Sequence, residues 1–309
     1  MISIHAPSDP PRFGTVITAT DASVPSAAGR LEAQGWDVIA TGEHVSFNLP
    51  IANAFVTLSA AAAVTSRVEL MSSVALLPLY PAALAAKMGA ALDNVSGGRF
   101  VFGVGIGGEN PREFEACGVP VSQRGARADE ALEVIRRLWE GGPVTYEGRF
   151  ARLEDVRIAP APVRRPPIWV AGRKEPAMRR AARHGDGWMP YMYTPEMLAD
   201  SIGKVAAMRE RPEPVEAGVF LWSCVHEDGA VALEHAKRSL AKTYRQDFTS
   251  MAGKYLAVGT PERVAARARE YVEAGAGLVV FGAACPLDYA DRHVDLLAEQ
   301  VLPLVRAHG

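Results

Sequence analysis

The chain has few cysteines and no metal-ligand pattern. Its three, Cys117, Cys224 and Cys285, are far apart in sequence and cannot all pair with one another. Neither CxxC nor a mixed Cys/His cluster occurs, so the sequence offers no zinc site. Free, buried thiols in a reducing compartment are the expectation. Charge of one sign is also lacking: 33 Lys plus Arg stand against 35 Asp plus Glu, a formal net charge of −2. That balance gives no general attraction to nucleic acid or to an anionic membrane, although a locally basic pocket remains compatible with it. The N-terminus Met1-Ile-Ser-Ile-His-Ala-Pro lacks the basic start and apolar run of a secretory signal. The apolar run Ala54–Val64 is too short to span a bilayer and is interrupted by Thr57 and Ser59. The expectation is a cytoplasmic protein without a metal, handling small molecules.

What is present is a large apolar fraction, 49% of 309 residues, against 22% charged. That suits a substantial core, divided into two domains or held in one large barrel. Short β-branched runs alternate with longer Ala/Leu/Arg-rich stretches. The strand candidates are Phe13–Ala19, Asp37–Thr41, Val68–Val74, Phe100–Gly105, Ile168–Ala171, Asp186–Pro190, Ala217–Val225 and Leu278–Gly282. Helical patterns lie between them, including Asn53–Val64, Pro81–Val95, Arg124–Glu140, Pro176–His184, Glu227–Tyr244 and Tyr289–Ala307. Eight strands with intervening helices predict one (β/α)8 barrel domain over residues 1–309, with a doubly wound open sheet as the alternative. In the long helix, Ala131, Val134, Ile135 and Leu138 form an apolar stripe, while Glu133, Arg136 and Arg137 face water. Gly141-Gly142-Pro143 stops it, and residues 141–167 read as an insertion carrying a hairpin that turns near Gly148. Thr260 is placed to cap a helix starting at Pro261.

Gly103-Val-Gly-Ile-Gly-Gly108 satisfies GxGxxG after an apolar strand. A dinucleotide loop should open directly into a helix and find an acid ending the next strand, whereas Glu109-Asn110-Pro111 follows here and Asp129 lies inside a helix. A glycine-permitted turn leaving a barrel strand is the better reading, and such a turn can still hold a cofactor. Glu43-His44 ends another strand at the face where barrels keep their active sites. The pair reads equally as an acid–base couple or as a hydrogen-bonded loop histidine. Ser72-Ser73-Val74 ends a third strand; the two small serines would let a planar ring approach, but local sequence favours ordinary strand residues. Arg173 and Lys174 sit at a strand-to-helix turn suited to a phosphate. Arg179, Arg180 and Arg183 read as a solvated helix face. Trp188 and Met189 pack against a cofactor or fill the core.

Taken together, these segments resemble the bacterial luciferase-like monooxygenase family, especially its branch using the deazaflavin coenzyme F420. The resemblance rests on Gly35-Trp-Asp-Val-Ile-Ala-Thr-Gly-Glu-His44, on the run Leu84–Gly105 with its Asp93-Asn-Val-Ser-Gly-Gly-Arg-Phe100, on Arg124–Glu133 and on Ala181–Trp188. It implies a TIM barrel that binds an isoalloxazine or deazaflavin ring at its C-terminal mouth. His44 matches a strand-end histidine beside the ring that supports hydride transfer; Glu43 stands where aspartate is more frequent. Ser73-Val74 matches a non-prolyl cis peptide against the ring. Ile106 and Gly107 match the cofactor-binding loop, and Glu109 falls near a catalytic acid of some relatives. Ala171, Gly172 and Arg173 match a cofactor-tail site, with Arg173-Lys174 where many relatives have extra glycine. The resemblance implies hydride transfer to or from a small organic substrate with F420. Reduced-FMN monooxygenation is the alternative reading, and a non-catalytic flavin-binding barrel a third. Relatives often dimerise, so a homodimer is expected.

Overall fold

In the computed structural model, which describes residues 10–307, eight strands close into a parallel barrel. We number them β1 (Arg12–Val16), β2 (Val38–Thr41), β3 (Glu69–Ser72), β4 (Phe100–Gly105), β5 (Ile168–Ala171), β6 (Gly187–Met189), β7 (Glu216–Val225) and β8 (Leu278–Ala283). Each pairs in parallel with its neighbours, and the Glu216–Gly187 and Gly218–Leu278 registers join β7 to β6 and β8. Pairing of Arg12 with Leu278 closes the ring. This is a (β/α)8 barrel, and the open-sheet alternative falls away because β1 and β8 are neighbours.

Side chains alternate across each strand, which gives two cores. Val38 and Ala40 point into the barrel with Met71, Val101, Trp169 and Val280. Ile39 points outward, in the layer beneath the helices with Phe13, Leu70 and Phe102. At the N-terminal end Arg12 bonds Glu216 at 2.8 Å, pairs with Glu69 and lies over Trp169, so charge and an aromatic ring plug that end together. The stripe Ala131, Val134, Ile135 and Leu138 is buried as its spacing predicts. Arg136 is not on the wet side, however: its guanidinium donates to the His184 carbonyl at 2.6 Å and pairs with Asp186.

The insertion folds as an antiparallel hairpin of Val144–Glu147 and Arg152–Val156. Glu130 on the long helix Arg124–Trp139 accepts the backbone N–H groups of Arg149, Phe150 and Ala151, fixing the turn to the barrel. Six other features depart from the sequence reading. A short strand Ala75–Leu76 and a short strand Ala257–Gly259 extend the sheet. A six-residue helix, Pro111–Ala116, follows β4. The C-terminal helix is interrupted by a π turn over Leu297–Val301, just before Pro303, whose ring nitrogen has no hydrogen to donate back along the helix. Thr260 precedes its helix, but its hydroxyl donates to Glu262 rather than accepting a backbone N–H. Cys224 and Cys285 are buried; Cys117 is exposed, against the expectation for all three.

Candidate active site

A cavity of about 1120 Å³ opens at the C-terminal ends of the strands. Of the residues singled out from sequence, Glu43, His44, Ser73, Val74, Ile106, Gly107, Glu109, Ala171, Gly172, Arg173, Lys174 and Met189 all reach its wall. Trp188 does not. It is buried beside Tyr193, and its indole N–H donates to the Gly172 carbonyl at 2.8 Å, so it braces the loop from behind.

β2 ends at Thr41, and the next turn sends Glu43 and His44 different ways. Glu43 turns into the protein, where its carboxylate accepts from Leu76 N at 2.7 Å, Ala54 N at 3.3 Å, Asn53 Nδ2 at 3.1 Å and the Tyr80 hydroxyl at 2.9 Å. Burial holds its pKa above the usual carboxylate range, and the Leu76, Tyr80 and Ala54 donors with the neighbouring His44 offset only part of that rise. His44 receives its carboxylate from elsewhere. Nδ1 lies 3.2 Å from each oxygen of Glu113, on the short helix after β4. Glu113 is fully buried and also accepts Val45 N–H at 3.1 Å. Facing an acceptor-only group, Nδ1 carries the proton of the neutral ring, leaving Nε2 to meet a ligand. Phe47 stacks on the imidazole, with centroids 4.0 Å apart and planes 11° apart.

Sequence reasoning assigned the adjacent Glu43 and missed Glu113. A signal was available: Asn110-Pro111 is a helix start, and the Asn110 side chain accepts Arg112 N–H.

Around the rim, the exposed Glu109 accepts from the Tyr191 hydroxyl at 2.9 Å, and Arg173 lies over the Tyr191 ring, 5.3 Å from its centroid. Burial and the Glu109 charge push Tyr191 up to about 12, so its hydroxyl remains a donor. Ser73 Oγ is buried without a hydrogen-bond partner, and the Ser73–Val74 peptide is cis.

The wall after β5 is cationic. Gly172, at φ +132°, takes a conformation that L side chains rarely adopt. Beside it stand Arg173 and Lys174, with Arg124 and Arg180 behind. Arg180 corrects the solvent reading: it is buried, and Nε bonds Asp129 at 2.6 Å. Arg179 and Arg183 are exposed as expected. Arg124 donates through Nη1 to the Val121 carbonyl but leaves its buried Nε unpartnered. This excess of cations fits a phosphorylated cofactor tail, and the apolar Val74, Ile106 and Met189 fit a planar ring. Among the described residues no three His, Cys, Asp or Glu side chains come together as metal ligands, and no helix is long and apolar enough to cross a membrane.

Comparison with known proteins bears on the fold and the family. An uncharacterised protein of Mycobacterium tuberculosis is 36% identical over 188 residues, covering 60% of this chain but only 65% of that protein. Pyrimidine monooxygenase RutA of Allorhizobium ampelinum is 28% identical over 255 residues, 78% of this chain and 67% of the relative. Among solved structures, an F420-dependent secondary alcohol dehydrogenase superposes with a TM-score of 0.82 at 21% identity, over 96% of this chain and 99% of the other. Monooxygenase RslO1 from Streptomyces bottropensis gives 0.78 at 27% identity, over 94% and 99%. The sequence profile of luciferase-like monooxygenases matches residues 11–277, nearly the whole barrel, and the chain therefore belongs to that family.

Proposed function

We propose that the protein is an oxidoreductase that uses coenzyme F420 to transfer a hydride to or from a small organic substrate. One observation carries this reading: His44 stands on the cavity wall with Nδ1 3.2 Å from the buried Glu113 carboxylate, and its Nε2 has no hydrogen-bond partner among the described residues. When bound, F420 supplies the two-electron chemistry. The side chains of the chain supply binding and proton handling. Arg124, Arg173 and Lys174 offer charge to the phosphorylated tail, and Ile106, Gly107, Val74, Ala171, Gly172 and Met189 shape the ring site. A carbinol carbon that gives up a hydride must also lose its O–H proton, and a carbonyl that gains one must receive it. His44 Nε2 takes or returns that proton, and Glu113 stabilises the imidazolium that forms. Glu109, held by Tyr191 at the rim, is a second proton carrier. Glu43 shapes the base of the site by holding Ala54 N–H, Leu76 N–H and Tyr80. We extend the reading to a cytoplasmic homodimer acting on small molecules.

A reduced-FMN monooxygenase is the second reading, favoured by the names of RutA and RslO1. The test is a parallel titration of the protein with F420 and FMN, each oxidised and reduced, followed by absorbance or fluorescence. Selective F420 binding is expected. Selective FMN binding puts monooxygenation first, and binding of neither overturns both. Tight binding without turnover on a broad substrate panel points to a non-catalytic barrel.

A further inference from the structure

At the end of the barrel away from the mouth, four arginines gather around one carboxylate. Asp186 immediately precedes β6, and Arg165 lies just before β5. Arg136 comes from the helix Arg124–Trp139, and Arg209 and Arg211 from the segment between the helix Pro195–Ala207 and β7. Arg165 Nη2 donates to Asp186 Oδ1 at 3.2 Å, and Arg211 Nη2 lies 3.8 Å from the same oxygen. Arg136 Nη1 approaches Oδ2 at 3.5 Å, and Oδ2 also accepts the Ile168 N–H at 2.9 Å. The carboxylate is fully engaged. Arg211 reaches a second acid, the exposed Glu213, at 3.4 Å. Arg209 is held by carbonyls: Nη1 donates to Ala182 and Gly185 at 2.7 and 2.8 Å, and Nε to Glu213 at 2.8 Å.

This cluster is short of negative charge. Four cations meet two carboxylates, and neutral carbonyls do not cancel the difference. Arg209 Nη2 and Arg211 Nη1 are buried with no hydrogen-bond partner, a costly state for donors on a charged group. Burial, and then the charges of neighbouring arginines, hold Arg136 and Arg209 below the usual guanidinium range, and Asp186 offsets only part of this. The cluster is open to solvent, because Arg165 is exposed and Asp186 and Arg211 are partly so. We infer that Arg136, Arg165, Arg209 and Arg211 form a second anion site, on the opposite end of the barrel from the cofactor cavity, for a phosphate dianion, free or as a small monoester. Guanidinium forks match such oxyanions with paired N–H donors. An excess of two positive charges is met by a dianion and only half met by a monoanion. The site goes beyond the redox reading and does not depend on it.

The test is calorimetric, at constant ionic strength and about pH 8, where the phosphates are dianions. Inorganic phosphate, glycerol 3-phosphate and the monoanion nitrate are titrated into R173Q/K174Q, which weakens the separate cationic wall at the mouth. The same titrations are made after adding R165Q/R211Q. At least one of the phosphates is expected to bind about tenfold or more tightly than nitrate, and the tighter one identifies the source. That affinity should fall about tenfold or more with R165Q/R211Q. Phosphate binding no tighter than nitrate, no binding, or binding that survives R165Q/R211Q overturns the assignment. Retained cooperative unfolding confirms the fold of each variant. Should R165Q/R211Q not fold, R165Q alone changes an exposed side chain and must still weaken phosphate binding; unchanged affinity there also overturns the site.

Discussion

His44 Nδ1 lies 3.2 Å from each carboxylate oxygen of Glu113, a residue 69 positions away. The carboxylate is fully buried and holds the Val45 N–H as well, so one group fixes both the ring and the backbone that carries it. Glu113→Gln keeps the size of the side chain but removes the charge that stabilises an imidazolium. We expect turnover to fall roughly 10- to 100-fold, with cofactor affinity changed by less than about threefold. Steady-state kinetics beside a cofactor titration checks the split. Equal losses in both would make Glu113 a structural residue only.

His44→Ala and Arg173→Ala should separate the two ends of the site. The first is expected to lower turnover by about 100-fold or more with cofactor still bound, and the second chiefly to weaken cofactor binding. Comparable losses in both parameters for both variants would contradict this division. Retained cooperative unfolding must accompany each result.

Gly103 of β4 packs against the Ser72 carbonyl of β3, where an added Cβ would sit 1.9 Å from that oxygen. The neighbour is backbone and cannot rotate away. Gly103→Ala should destabilise the barrel by about 3 kcal/mol or more, read as a lowered urea midpoint. An unchanged midpoint would show that β3 and β4 can separate at no cost.

His293 should make stability depend on acid. It is buried, accepts Val225 N–H at Nδ1 and contacts Ser223 Oγ through Nε2, so the folded protein holds it neutral. Burial pushes its pKa down to about 3. An unfolded histidine binds its proton near pH 6.5. The contribution of His293 is therefore complete above about pH 6.5 and declines as pH falls toward about 3, by up to ~1.4 kcal/mol per pH unit. Urea unfolding across that range should show a shallower decline for His293→Gln than for the wild type. Identical slopes would place the acid sensitivity elsewhere, for example in His184, which burial lowers to about 4.

The barrel was legible because parallel strands covered on both faces are short continuous apolar runs; all eight were found, within a few residues at their ends. The site was legible where residues end strands, since β2, β4 and β5 carry His44, Ile106 and Gly172 to one mouth. What stayed hidden was non-local. Glu113 rides on a helix of six residues, too short to show a period, and its partner is set by how β2 and β4 are brought together. Adjacency pointed to Glu43, but successive side chains leaving a strand diverge. Arg180 looks like its exposed neighbours until the fold brings up Asp129, 51 residues away.

The central claim is that the cofactor ring seats beside His44, and histidine-labelled NMR of the protein with and without F420 tests it most directly. The chain has seven histidines, and His44→Gln identifies the resonance of interest. On saturation with F420, the His44 ring nitrogens should shift while those of His293, buried against Val225, stay in place. F420 binding that leaves His44 unmoved would contradict the account.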